Sequence, residues 1–389
     1  MKDVLADILV IELGTMVTAP LAGMMLGDLG ARVIKVELPE TGDPFRGHGG
    51  GRYSAPFVAY NRNKESIQLD LRSESGSADL VRLLEKADVV TENLRPGAFE
   101  RLGFDNERLR AINPRLIRAS ITGFGAHGPY SARPAFDSVP VALSGMASLM
   151  LDPEDPRMSG PTIADNVTGM YAVQGILAAL LRRVATGTGG HVEVNMLEAA
   201  ISFIPDAFAQ FTRAGIVSGP DTRVRISQCY TLACSDGKLV SVHLSAVRKF
   251  WEGLLAVVGR PELAGDPRFA APADRTRNYP ELREILGECF AGRSRDEWAA
   301  ALAAQGVPAA PVLSVDEVHD DPQVAHLRTL APSHHPSMGE VLAIKSPVTL
   351  DGRRADEFAP PPELDAHGDD LAAEFGLVSR GDPAAPDAR

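Results

Sequence analysis

The chain predicts an α/β protein, a Rossmann-like large domain with a smaller α+β domain. Three observations carry that expectation. Short apolar runs alternate with helical patterns through the first third of the sequence. Near residue 205 the rhythm changes to paired strands around a tight turn. The chain has 389 residues, 44% hydrophobic and 23% charged, which is ordinary globular composition and enough for one or two large cores.

Residues 8–11 (Ile-Leu-Val-Ile) form a short apolar run suited to a buried parallel strand. Residues 20–29 have helical spacing, with Pro20 in the first turn. Residues 33–36 read as the second strand, and the glycine-rich stretch 47–51 then predicts a mobile loop. A helix at 78–85, a strand at 88–92 and a strand at 116–121 continue the alternation. Tyr171, Val173, Ile176, Leu177, Leu180 and Leu181 have the spacing of a long helix, closed by Arg182-Arg183 and Gly187. Gly187-Thr188-Gly189-Gly190 is not a dinucleotide loop. Val192 stands where the third glycine should be, and the stretch follows a helix, so it reads as a helix C-terminal turn.

Residues 230–244 read as two strands around Ser235-Asp236-Gly237, followed by helices at 250–258 and 295–304 and a strand near 311–313. These place the small domain at 205–320. The chain beyond returns to strand and loop character. The tail 379–389, rich in Pro, Ala, Asp and Arg, predicts disorder.

Several function classes are disfavoured. A net charge of −12 argues against nucleic acid or an anionic membrane as the main partner. No apolar run reaches the ~18 residues of a membrane span, and the N-terminus lacks a signal pattern. Cys229, Cys234 and Cys289 form no disulfide or metal framework, because the Cys229/Cys234 spacing has no second pair. The expectation is a cytoplasmic protein without a metal site. There is no phosphate-loop lysine, serine-hydrolase elbow or two-histidine zinc helix.

Asp165 is the candidate nucleophile. It sits at or just before the start of the long helix, where unpaired N–H groups and the helix dipole favour a charged carboxylate. A charged carboxylate can attack an activated acyl group. The competing reading is a plain helix cap.

Its surroundings carry a resemblance. Asn61-Arg62-Asn63-Lys64-Glu65-Ser66-Ile67-Gln68-Leu69-Asp70-Leu71 resembles the NRNKxSIxLDL stretch of family III CoA-transferases, the CaiB/BaiF type. Glu92-Asn93-Leu94-Arg95-Pro96-Gly97 with Arg101-Leu102-Gly103 is similar to the family's ENxRPG…RLG motif. Residues 112–117, Gly123-Phe124-Gly125, 185–190 and 196–200 continue the match in order, so it spans Val10 to about Leu377. The resemblance implies an acyl-CoA:carboxylate CoA-transferase with Asp165 as nucleophile, working through an aspartyl anhydride and an aspartyl-CoA thioester. It implies CoA and acyl-CoA as substrates, a carboxylic acid acceptor and no permanently bound cofactor. It also implies that 1–204 and 321–378 together build the large domain, and that two chains interlock as ring-like homodimers.

Family contacts to CoA match Val17, Thr18, Leu69, Arg72, Asn93, Leu94, Arg95 and Arg101. Arginine suits phosphate because its fork pairs bidentately. Without the resemblance, Arg72 and Arg101 would read as solvated helix residues. Leu38 stands where formyl-CoA transferase carries an arginine, so one contact is lost or supplied elsewhere. Phe136 and Asp137 match positions beside CoA or the acyl group.

Phe136 discriminates between branches. Alpha-methylacyl-CoA racemases carry a catalytic histidine at that position, and phenylalanine cannot exchange a proton. The racemase's small-domain acid falls near Ala246-Val247, neither of which ionises. An acyl-CoA racemase or isomerase is therefore the alternative, and a non-catalytic subunit of a heteromeric transferase is a third reading. The four-glycine lid of formyl-CoA transferase is matched by residues 223–229, which lack glycine. Arg223 and Arg225 there suggest pairing with a second carboxylate of the substrate. His243 reads as a packed strand residue and His334-His335 as a solvated loop.

Overall fold

The computed structural model describes residues 3–49, 51 and 53–379. The first part of the chain runs β1 (Leu9–Glu12), α1 (Thr18–Asp28), β2 (Arg32–Glu37), α2 (Ala55–Tyr60), β3 (Lys64–Gln68), α3 (Glu74–Lys86) and β4 (Val89–Glu92). It continues through α4 (Ala98–Arg101), α5 (Asn106–Ile112), β5 (Ile117–Thr122), α6 (Ser138–Leu143), α7 (Ile163–Thr186), β6 (Gly190–Asn195) and α8 (Met196–Ser202). Next come α9 (Pro205–Ala214), α10 (Pro220–Ile226), β7 (Cys229–Ala233), β8 (Leu239–His243), α11 (Arg248–Val258), α12 (Pro272–Arg277) and α13 (Tyr279–Phe290). Last are α14 (Arg295–Ala304), β9 (Ala309–Pro311), α15 (Pro322–Leu327), β10 (Leu330–His335), β11 (Gly339–Ile344) and α16 (Gly368–Phe375).

Six parallel strands form one sheet in the order β3-β2-β1-β4-β5-β6. This is the doubly wound order, whose direction of winding reverses between β1 and β4. The strands expected at 8–11, 33–36, 88–92 and 116–121 are β1, β2, β4 and β5. Successive side chains of a strand face opposite ways, so neighbours on β1 enter different cores. Val10 packs with Leu26 of α1 and Ile176 of α7. Ile11 packs with Leu83 of α3 and Leu109 of α5. The long helix α7 ends at Gly187, in the left-handed region at φ 73°, whose N–H bonds the Arg183 carbonyl at 2.8 Å. The helix C-terminal turn expected there is present.

Among the described residues the chain clusters into two compact units, one of 3–147, 160–205 and 328–379, the other of 148–159 and 206–327. In the first unit the C-terminal segment returns to β3. Asp365 Oδ1 accepts from Gln68 N at 2.8 Å, and His367 N donates to Ser66 O at 3.1 Å, so the sheet edge is covered. Of the expected disordered tail, Ser379 is held by its N–H on Asp79 Oδ2 at 2.9 Å; the remainder lies outside the described residues. Residues 44–49 form turns that take in Gly47-His48-Gly49 of the loop expected at 47–51, and Gly50 lies outside the described residues. His335 corrects the loop reading of His334-His335. It closes β10, is fully buried, and meets the Tyr53 ring edge-on at 4.5 Å.

The second unit holds an antiparallel sheet β7-β8-β9, in which β7 and β8 are the strands expected at 230–244. Tyr230, Val242, Trp251, Leu254, Leu286 and Phe290 share its core. No helix among the described residues is long and apolar enough to cross a membrane.

Candidate active site

The carboxyl ends of β1, β2, β3 and β4 surround a cleft of about 460 Å³. In open α/β sheets this reversal point is where ligands bind, because the loops diverge there and leave a crevice. Leu13, Gly14 and Thr15 line it after β1, Leu38 after β2, Leu69 and Arg72 after β3, and Leu94, Arg101 and Leu102 after β4. The sequence-assigned residues Leu38, Leu69, Arg72, Leu94 and Arg101 therefore share one cleft. Gly97 opens α4 at φ 74°, and a Cβ there would come within 3.0 Å of Arg101 Nη1.

Asn93 sits beneath the rim as a clamp. Its Oδ1 accepts from Thr15 N at 2.9 Å, and its Nδ2 donates to Thr15 O at 2.8 Å and Thr18 Oγ1 at 3.0 Å. It ties the turn after β1 to the end of β4. Val17 and Thr18 open α1 and are buried, and no side chain caps this helix start. Arg95 lines a neighbouring hollow of about 250 Å³ at the ends of β4, β5 and β6.

Beneath the cleft lies a buried ionic network that sequence reasoning missed. Lys35 Nζ meets Glu12 Oε1 at 2.9 Å, Asp43 Oδ2 at 2.9 Å and Gly14 O at 2.8 Å. Lys64 Nζ meets the same Glu12 and bonds Pro20 O at 2.8 Å and Asn61 Oδ1 at 2.9 Å. Arg46 pairs with both Glu37 oxygens at 2.7 Å, and Ser66 Oγ donates to Glu37 at 2.6 Å. Asp43 accepts from Met16 N at 3.2 Å through either oxygen, holding Met16 at φ 66°. Burial pushes the Lys64 amine down to about 8, against the pull of Glu12. For Lys35, burial pushes the same way, but the carboxylates of Glu12, Asp43 and Glu37 outweigh it and hold the amine above its ordinary range. Buried charges survive only when paired in this way. The signal available in the sequence was a lysine inside the apolar strand 33–36 and the lysine of the Asn61–Leu71 motif.

Asp165 lies outside the cleft lining, in the first turn of α7, three residues after Thr162. Its own N–H donates to Asp137 Oδ1 at 3.1 Å, so a second carboxylate stands beside it. Gly169, one turn on, allows close approach to α1. A Cβ there would stand 2.9 Å from both Thr18 O and Leu21 Cδ2. One turn from Asp165, α7 is thereby set against the helix whose start follows the cleft-lining turn.

One expectation is corrected here. The helix start was expected to favour a charged Asp165. Desolvation by burial, and then the negative charge of Asp137, push its carboxyl up to about 7. The dipole of a first turn is worth about 0.3–1 kcal/mol, too little to reverse this.

Phe136 is 63% exposed, so it is not a core aromatic. Arg225 pairs with Asp221 at 2.9 Å along α10. His243 ends β8 exposed, its Nε2 3.0 Å from Ser245 Oγ.

Comparison with known proteins agrees with the motifs. The profile of CoA-transferase family III matches residues 5–368. The chain is 34% identical to the acetyl-CoA:oxalate CoA-transferase of Acetobacter aceti, covering 98% of this chain and 96% of that protein. It is 33% identical to the succinate–glutarate CoA-transferase of Agrobacterium fabrum, covering 97% of each. A crystal structure of a CaiB/BaiF family protein from Brucella suis superposes with a TM-score of 0.84 at 34% identity, over 95% of this chain and 98% of that one. The matches run nearly end to end, and the chain belongs to CoA-transferase family III.

Proposed function

We propose that the chain transfers CoA from an acyl-CoA donor to a carboxylic acid acceptor, with Asp165 as the covalent carrier. The observation that carries this reading is Asp165 itself. It is a half-buried carboxyl with a shifted pKa, on a helix packed against α1, and α1 begins beside the nucleotide-sized cleft.

Asp165 carboxylate attacks the donor thioester carbonyl. The C–S bond breaks, a mixed anhydride forms, and CoA leaves as thiolate. The thiolate attacks the Asp165 acyl carbon, releasing the donor acid and leaving an aspartyl-CoA thioester. The acceptor carboxylate attacks that thioester, giving a second anhydride and free thiolate. The thiolate attacks the acceptor's acyl carbon, and Asp165 is returned as carboxylate. No water and no net proton are consumed. The four steps together replace one hard transfer with a chain of easier acyl transfers.

CoA would lie in the cleft, with Leu38, Leu69 and Leu94 against its base and Arg72 and Arg101 toward its phosphates. Val17 and Thr18 would lie along its arm. Asn93 would shape the turn. Arg95 would border the site, and Phe136 and Asp137 would flank the acyl group. Two copies of the chain would form the working homodimer. Related transferases named for oxalate, D-citramalate and glutarate make those acids, with acetyl-CoA and succinyl-CoA, the first panel to try.

The decisive test follows oxygen. A turnover with acceptor acid labelled with heavy oxygen in its carboxylate should leave one heavy oxygen on the peptide bearing Asp165. A later turnover should pass it to the donor acid. Asp165→Ala should lose transfer by about 10⁴-fold or more, as removal of a nucleophile does. Label reaching the donor acid without passing through Asp165 would rule out the covalent route.

A further inference from the structure

The turn between β1 and α1 has its backbone held by side chains from elsewhere in the sheet. Lys35 Nζ donates to Gly14 O at 2.8 Å. Asn93 accepts from Thr15 N at 2.9 Å and donates to Thr15 O at 2.8 Å. Asp43 accepts from Met16 N at 3.2 Å through either oxygen. Lys35 lies in β2, Asp43 follows β2 and Asn93 follows β4. Met16 stands at φ 66°. The left-handed region strains a residue with a Cβ, and methionine lacks the short polar side chain with which asparagine or aspartate offsets that strain. The bond to Asp43 supplies the offset.

Asp43 is suited to this. It is 1% exposed, its Oδ1 also accepts from Phe45 N at 2.9 Å, and its Oδ2 meets Lys35 Nζ at 2.9 Å. Burial pushes its carboxyl up, but Lys35 and the N–H groups of Phe45 and Met16 outweigh burial and hold it below the ordinary aspartate range. It therefore accepts as a carboxylate at neutral pH. The turn that it holds serves the site twice. Gly14 and Thr15 line the cleft, and Val17, directly after Met16, opens α1.

We infer that Asp43 is a positioning residue for the coenzyme: it holds Met16 in the left-handed region and so fixes the wall of the cleft that Gly14 and Thr15 form. This rests on the proposal that the cleft holds CoA. Asp43 acts through Met16 and not as a ligand contact. It lines the cleft too, but a carboxylate in the wall of a site for a polyphosphate repels the ligand. By charge alone, its removal would tighten binding, whereas loss of the turn weakens it.

The test is a double-mutant cycle on the intact protein, with CoA binding read by calorimetry and folding by thermal melting. Glycine adopts a positive φ without strain, so Met16→Gly removes the need for the Asp43 bond. Asp43→Ala should weaken CoA binding about tenfold in the wild-type background and less than about twofold in the Met16→Gly background. Asp43→Asn loses the same charge but keeps an acceptor oxygen, and should recover most of the affinity. Melting should fall with Asp43→Ala in both backgrounds, because Lys35 loses a buried partner in each. A purely structural role would move the melting and leave the affinity losses equal. Met16→Val probes the turn with Asp43 intact. A β-branched residue resists the left-handed region, so CoA binding should weaken by about fivefold. Equal Asp43→Ala losses in the two backgrounds, tighter binding by Asp43→Ala, or wild-type affinity in Met16→Val overturns the inference while leaving the CoA site standing. If the wild type does not bind CoA, the CoA reading fails and takes this inference with it.

Discussion

A carboxyl raised to about 7 gives the proposed mechanism a pH signature. As the proposed nucleophile, Asp165 would attack only as a carboxylate, and burial together with Asp137 pushes its carboxyl up to about 7. Activity measured as kcat/KM should therefore rise with pH through about 7 and level off above it. Asp137→Asn removes the neighbouring charge but not the burial, which is the larger cause, so the rise should move to lower pH without reaching the ordinary aspartate range. A rise unmoved by Asp137→Asn would show that another group sets it. The same shift bears on stability. A carboxyl raised in the folded state adds stability that is complete below its unfolded pKa and is lost as pH climbs through about 7. Asp165→Asn should thus melt higher relative to wild type at pH 8 than at pH 5. The position of Asp165 was legible from the helix pattern after it. Its protonation was not, because Asp137 stands 28 residues away and only the fold brings it to hydrogen-bond distance.

Whole elements escaped the sequence where polar residues fill the sheet. The strand β3 reads Lys-Glu-Ser-Ile-Gln, with Lys64, Ser66 and Ile67 buried, and shows no apolar run. Its buried polar groups are answered by Glu12, Glu37 and the C-terminal segment, partners that no local pattern announces. The strand β6 hides behind the glycines that end α7. The strands β1 and β2 were legible because their cores need apolar side chains on both faces. Even there Lys35 departs from the rule, since Glu12 and Asp43 compensate it. Between elements, α1 and α7 approach each other closely at Gly169. Gly169→Val must push Thr18 O and Leu21 away. Overpacking of this kind costs about 1–3 kcal/mol. Thermal unfolding should shift down accordingly, and kcat should fall more than CoA binding weakens, because Asp165 lies one turn from the substitution while no residue of α1 lines the cleft. A loss confined to CoA affinity would mean that this contact does not set the position of Asp165.

At the scale of the molecule, apolar surface without a partner remains. Helix α9 buries none of its residues, and Phe208 and Phe211, three apart on one face, are 43% and 56% exposed. Ile216 and Val217, just beyond it, are exposed as well. On α7, Leu181 and Val184 repeat the three-residue spacing at 74% and 85% exposure. Scattered apolar residues on a surface need no explanation, but large aromatics along one helix face are where an interface is first sought. A second copy of the chain is the economical occupant, because a two-fold contact presents the same patch from both sides. Light scattering on the purified protein at micromolar concentration should give twice the mass of one chain. Phe208→Glu with Phe211→Glu should place like charges in that face and drive the mass toward the single chain. The circular dichroism of the variant should remain folded, since neither side chain contributes to the core of the second unit. A wild type that is already monomeric would leave the aromatic face of α9 unexplained and remove the homodimer from the proposal. A variant that stays dimeric would place the interface elsewhere, with the exposed face of α7 the next to substitute.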